Sequence, residues 1–265
     1  MPARTAGTGP GMNKGTALIT GASAGIGAAL AREFARRGFD LVITARHQQG
    51  LAALAAEFRD VRVDVITVDL SEESGVETLT AAIAKLGVEI DILVNNVGIA
   101  HTGRFAAMTT TEINQLTMLN MTSMTRLTHH FLPTMMRRGY GRILNVASVA
   151  AFQPIPVMSL YAASKAFVLS LSEGLSEELH GTGVSVTALC PGITRTPIEG
   201  TPGGPAYLTS SPIEVAREGV AALLAREFVC IPGVANQVAV TVARHQPRWL
   251  VRGLRGLWAR FGASH

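Results

Sequence analysis

Short, almost unbroken apolar runs alternate along the chain with longer stretches in which apolar residues recur every three or four positions. The runs are TALIT (16–20), DLVITA (40–45), VDVITV (63–68), DILVN (91–95), GRILNVAS (141–148), VSVTALC (184–190) and FVCIPG (228–233). Apolar residues on consecutive positions suit strands covered on both faces; a half-exposed strand would alternate. Between the runs, the longer period predicts helices over 25–37, 48–58, about 72–86 and about 110–137, and another carrying Tyr161 and Lys165. Strand–helix alternation of this kind builds βαβ units, so the pattern predicts an α/β fold around a parallel sheet.

Nothing divides this body into smaller ones. Residues 1–13 read as a short disordered leader, 14–233 as a single domain and 234–265 as a C-terminal helical extension. The Pro/Gly-rich stretch 191–205 reads as a functional loop. Of 265 residues, 48% are hydrophobic and 16% charged, enough apolar material for a sizeable core. Two cysteines, Cys190 and Cys230, make no disulfide framework and fit a reducing, cytoplasmic compartment. The formal charge of +4 is dispersed except near the C-terminus and leaves no nucleic-acid footprint. No apolar run reaches the roughly 18–20 residues that span a bilayer, and the leader lacks the apolar segment of a secretory signal.

The first strand is followed at once by TGASAGIG, with Gly21, Gly25 and Gly27 at the opening of a helix. Glycines allow a tight turn and a close approach of backbone N–H groups to a phosphate, and the helix N-terminus adds partial positive charge. The spacing is GxxxGxG, not the GxGxxG of the common dinucleotide fingerprint, but its place on the first βα unit points to the same use. At the end of the second strand a carboxylate would bind a ribose 2′-hydroxyl. Here Ala45 is followed by Arg46. A guanidinium suits a 2′-phosphate, so the cofactor is read as NADP(H).

Tyr161 and Lys165 are four residues apart in an otherwise apolar helix and share one of its faces. A phenol has a pKa of about 10, and a nearby ammonium is expected to lower it toward acid–base work at neutral pH. Ser148, at the end of the fifth run, can reach the same crevice and hold a carbonyl oxygen.

At these positions the sequence resembles the short-chain dehydrogenases/reductases. TGASAGIG, NNVG (95–98), Asn120, Ser148, YAASK (161–165) and PGITRT (191–196) occur in the family's order across roughly residues 14–232. The resemblance implies a Rossmann-type, doubly wound sheet of about seven strands and a Ser–Tyr–Lys–Asn tetrad. Tyr161 would be the general acid/base and Ser148 the group that polarises the carbonyl. Lys165 would hold the nicotinamide ribose and lower the tyrosine pKa. Asn120 would hold a water that links Lys165 to solvent. Cofactor contacts would come from Gly21, Ser23, Gly25, Ile26 and Gly27, from Asp69 and Leu70 at the adenine, from Asn95, Val97 and Gly98, and from Pro191, Gly192, Ile193 and Thr196. Val97 departs from the family's NNAG and adds bulk beside the cofactor. No metal is implied, and the family commonly forms homodimers or homotetramers.

The segment FQPIPVM (152–158) lies where the family places substrate-facing residues, and its apolar character suggests a lipophilic carbonyl or alcohol. The adjacent His129 and His130 point in different directions on a helix and make no metal pair. In the extension, Leu250, Leu254, Leu257, Trp258 and Phe261 form one stripe among four arginines. It reads as a helix packed on its own domain or on a partner subunit, with peripheral membrane contact through 245–265 as the alternative. The expected activity is NADP(H)-dependent interconversion of a carbonyl and a secondary alcohol. The competing reading is a non-catalytic NADP(H)-binding sensor or scaffold, which would have no need of Tyr161 and Lys165 together.

Overall fold

The computed structural model describes residues 14–194 and 209–245. The leader, Thr196 and the Leu/Trp/Arg stripe lie outside the described residues. In chain order the elements are β1 (Thr16–Thr20), α1 (Gly25–Arg36), β2 (Asp40–Ala45), α2 (Gln48–Ala55), β3 (Val63–Thr67), α3 (Gly75–Leu86), β4 (Ile92–Asn95), α4 (Thr110–Thr117) and α5 (Ser123–Arg138). There follow β5 (Gly141–Val146), α6 (Ser159–Glu178), β6 (Val184–Leu189), β7 (Ile193–Thr194), β8 (Thr209–Ser210), α7 (Pro212–Ala225), β9 (Val229–Cys230) and α8 (Val234–His245).

Seven strands form one parallel sheet in the order β3-β2-β1-β4-β5-β6-β9, while β7 and β8 pair separately. The chain winds outward from β1 to β3, then restarts at β4 on the other side of β1. That reversal opens a crevice beyond the carboxyl ends of β1 and β4, where such sheets bind ligands.

The continuous apolar runs are explained by two cores. Ala17, Ile19, Leu41, Ile43, Ile92 and Val94 pack on one face with Leu30 and Phe34 of α1 and Val220 and Leu223 of α7. The alternate residues Leu18, Val42, Leu93 and Ile143 pack on the other face with Leu79 and Ile83 of α3 and Leu127 of α5. Cys190 and Cys230 are buried and free, and burial pushes both thiols up to about 12.

Two boundaries differ from the sequence reading in ways that matter for the site. The fifth strand ends at Val146, so Ser148 stands past it, capping a 3-10 turn over Val149–Phe152 through Ala150 N–H. The stretch 110–137 is not one helix: between α4 and α5 the backbone widens into a π turn over Met118–Thr122. Its apolar period runs on through the turn, which hides the break from a sequence reading. The Ser123 and Thr125 hydroxyls donate to the carbonyls of Leu119 and Met121, four residues back, a habit that bends helices. The Asn120 side chain finds its partners outside the helix.

Candidate active site

The turn after β1 is drawn tightly against the start of α1. A Cβ on Gly27 would lie 2.2 Å from the Gly21 carbonyl oxygen, and Gly21 has a φ of +66°, so both positions require glycine. The turn is braced from β4. Asn96 Nδ2 donates to the carbonyls of Thr20 and Gly21 at 2.8 and 3.2 Å. The Thr20 hydroxyl donates to Val94 and accepts from Asn96 and Val97 N–H groups. Ala24, at the helix start, offers no side-chain cap, so the first N–H groups of α1 are left to a ligand.

Gly21, Ser23, Gly25, Ile26 and Gly27 line a cleft of about 890 Å³, with Arg46 at the end of β2 and Leu70 opposite. Arg46 is exposed and makes no ion pair among the described residues. His47 and Val68, which the sequence reading passed over, line the same end. Two expected contacts have partners of their own within the protein. Asp69 stands between Val68 and Leu70, which line the cleft, and its Oδ1 accepts from Ser71 N–H and hydroxyl at 2.8 and 2.7 Å. Asn95 is buried beneath the cleft, donating to Thr128 Oγ1 at 3.0 Å and Asn145 Oδ1 at 2.9 Å. Its neighbour Asn96, just past the end of β4, lines the crevice instead.

Ser148, Tyr161, Lys165, Val97, Gly98, Pro191, Gly192 and Ile193 line the other part of the cleft. Lys165 Nζ donates to the Val146 carbonyl at 2.8 Å, just where β5 ends. A Cβ on Gly98 would lie 3.0 Å from Asn120 Oδ1 and 3.5 Å from Lys165 Nζ, so these two side chains approach each other across a bare glycine. Asn120 Oδ1 accepts from Ile99 N–H at 2.9 Å, and its Nδ2 donates to the Ile99 carbonyl and to Ser164 Oγ at 2.9 and 3.0 Å. Both amide hydrogens are therefore taken, and a water held by this side chain would have to donate to Oδ1.

Burial pushes the Tyr161 phenol above its ordinary value, while hydrogen bonding to Ser148 acts the other way. Burial pulls the Lys165 ammonium down to about 8. The expected lowering of Tyr161 by the lysine is not found: Nζ sits 5.8 Å from the ring centroid and is bound to Val146. Desolvation outweighs the ammonium at that distance. The phenol therefore keeps its proton at neutral pH.

Beyond these groups the wall is largely apolar, with Ile99, Leu116, Ile155 and Met158, interrupted by His101, Glu112, Gln115 and Gln153. Gln153 belongs to the 152–158 segment singled out in the sequence, while His101, Glu112 and Gln115 lie in a loop and a helix without a motif.

Residues 15–202 match the family model described as short chain dehydrogenase. Serine 3-dehydrogenase of Agrobacterium fabrum is 38% identical over 183 residues, 69% of this chain and 73% of that protein. A short-chain dehydrogenase from Sphingobium yanoikuyae, solved in complex with NADPH, is 40% identical and superposes with a TM-score of 0.77 over 87% of this chain and 93% of that one. The bulky-bulky ketone specific alcohol dehydrogenase from Comamonas testosteroni is 35% identical, with a TM-score of 0.75 over 96% and 97% of the two chains. With the sheet order, the crevice at its reversal and these likenesses agreeing, the chain belongs to the short-chain dehydrogenase/reductase family, nicotinamide-dependent oxidoreductases that interconvert alcohols and carbonyls.

Proposed function

We propose that the chain reduces a lipophilic ketone with NADPH, Tyr161 serving as the proton donor. The observation that carries this reading is the meeting of Ser148, Tyr161 and Lys165 along one wall of the cleft whose opposite end holds Arg46. The glycine turn, tight enough to exclude a Cβ at Gly27, fits a cofactor pyrophosphate. Arg46, free of acidic partners among the described residues, fits a 2′-phosphate.

When bound, the cofactor supplies the hydride to the carbonyl carbon. The protein's part is positioning and proton supply. Ser148 holds the carbonyl oxygen beside the phenol. Tyr161, kept protonated by burial, donates its proton to that oxygen as charge develops there. Lys165, fixed by Val146, offers its remaining N–H groups to the cofactor ribose. Asn120 braces the Ile99 backbone and α6, and its Oδ1 offers a water the way out toward solvent that a proton relay needs. Ile99, Leu116, Ile155 and Met158 exclude water from an apolar substrate body.

The test is NADPH oxidation by the purified protein against a panel of apolar ketones of graded bulk. Turnover of one or more of them, with NADH a poorer donor, supports the reading. A protein that binds NADPH and turns over no ketone would favour the competing sensor or scaffold reading.

A further inference from the structure

The substrate end of the cleft contains polar groups that carbonyl reduction itself does not require. His101 Nδ1 lies 3.6 Å from Glu112 Oε1, and both residues line the cleft. The carboxylate is fixed from behind. Its Oε2 accepts from Thr109 N–H and hydroxyl at 2.8 and 2.9 Å in a reciprocal capping box at the start of α4. Oε1 is left to face the imidazole. The loop that carries His101 is fixed as well, because Gly103 N–H donates to the Val157 carbonyl at 2.7 Å. The ring lies against that glycine, where a Cβ would come within 3.0 Å of Nε2. His101 is therefore a positioned side chain whose Nδ1 faces the carboxylate at 3.6 Å, a charge contact longer than a hydrogen bond.

In a neutral imidazole, a carboxylate beside Nδ1 favours the tautomer that carries its proton there, which leaves the Nε2 lone pair to accept a hydrogen bond. The ligand group that meets it needs an O–H or N–H. Glu112 disfavours an anion at this place, and the surrounding Ile99, Leu116 and Ile155 penalise a fully charged cation. A hydroxyl satisfies both conditions. We propose that His101, oriented by Glu112, is a specificity-determining residue that accepts a hydrogen bond from a hydroxyl group carried by the carbonyl substrate away from its reacting carbon. The proposal rests on the ketone-reductase reading above and narrows its substrate class to hydroxyketones with an apolar body.

The experiment uses the full chain with NADPH and methyl ketones bearing a terminal hydroxyl at increasing distance from the carbonyl. Each is compared with its unsubstituted parent and with the carboxylate and ammonium counterparts. In the wild type, the hydroxyketone of matching length should exceed its parent in kcat/KM by about 3–10-fold, mostly through KM, the ratio that one neutral hydrogen bond supplies. His101→Leu should bring that ratio to about one, since the acceptor is gone. Glu112→Gln, which preserves the helix cap, should lower the ratio without abolishing it. His101→Gln keeps an acceptor and should retain part of the preference; if His101→Leu fails to fold, this variant decides, and complete loss of preference in it overturns the proposal. A hydroxyl advantage that survives His101→Leu overturns it, as does a carboxylate or ammonium counterpart preferred over the hydroxyketone. If parent ketones turn over and no hydroxyl confers an advantage, this inference alone fails. If no ketone turns over, the reductase reading fails and takes it along.

Discussion

Ser164 joins the broken helix to the helix of the active site: its hydroxyl accepts from Asn120 Nδ2 at 3.0 Å and donates to the Tyr161 carbonyl at 2.7 Å. The residue sits between Tyr161 and Lys165 in sequence and is fully buried. Ser164→Ala removes the acceptor and leaves one amide hydrogen of Asn120 without a partner. A buried donor so orphaned costs about 1–3 kcal/mol. Denaturant unfolding should show that loss, and kcat should fall while KM for NADPH stays near its wild-type value. Unchanged kcat would mean that Asn120 does not depend on this bond for its position.

Tyr161→Phe keeps the ring and removes only the acidic proton. Turnover should drop by at least about 100-fold, the lower range for general acid catalysis, while NADPH affinity by fluorescence titration stays within about threefold. The raised phenol also fixes the sign of the pH dependence. Reduction uses the protonated form and should be flat through neutral pH. Oxidation of the alcohol uses the phenolate, so its kcat/KM should climb with pH across the same range.

Lys165 is a buried ammonium pulled down to about 8 from the lysine value of 10.5. In the unfolded chain it binds its proton more tightly than in the folded one. Below about 8 both states are charged, and the folded state bears the full burial penalty, on the order of 3 kcal/mol. Between about 8 and 10.5 the unfolded state holds more protons, so stability from this group rises with pH. Lys165→Met should therefore raise the melting temperature at pH 7 while abolishing turnover, and its advantage should shrink toward pH 10. A variant less stable than wild type at pH 7 would show that the bond to Val146 outweighs desolvation.

Arg46 is the exposed cation beside the cofactor end of the cleft. A hydrogen bond to a charged group contributes about 1.5–3 kcal/mol, so NADPH should be preferred over NADH by about 10- to 100-fold in kcat/KM. The double change Ala45→Asp with Arg46→Ala should reverse the preference, because it adds repulsion and removes attraction. Added salt should weaken the wild-type preference, since the site is open to solvent. Equal kcat/KM for the two cofactors would mean that Arg46 plays no part.

The methyl group of Gly27→Ala would have to displace the Gly21 carbonyl, 2.2 Å from its Cβ. Moving that carbonyl breaks the brace from Asn96. NADPH affinity should fall by at least about tenfold, roughly 1.4 kcal/mol, with a lower melting temperature as well. Normal affinity would place the pyrophosphate elsewhere.

The sheet and both of its covering layers were legible because burial on two faces leaves an unmistakable mark: Leu18 and Ile19 are both fully buried, on opposite sides. The glycine turn was legible because it follows the first strand at once, and Tyr161 and Lys165 because they lie four residues apart on one face of an apolar helix. What the sequence could not resolve were choices made by tertiary partners. The π turn coincides with the Asn120 side chain bonding Ile99 and Ser164, partners from distant segments. In NNVG, two identical neighbours part only through their partners: Asn95 pairs with Asn145 and Thr128, while Asn96 binds Thr20 and Gly21 at the crevice. His101 and Glu112 belong to separate loop and helix segments, and no spacing rule unites them.

Asn95 has a consequence of its own. Strands that are apolar on both sides carry no polarity difference to oppose a slip of one residue, since either face would still be buried. Asn95 on β4 pairs in register with Asn145 on β5, and the amide of Asn145 continues to Ser172 on α6. Shifting either strand by one position would strand these amides among aliphatic side chains, each at a cost of about 1–3 kcal/mol. The buried asparagines thus act as an alignment key between β4, β5 and α6, the helix that carries Lys165.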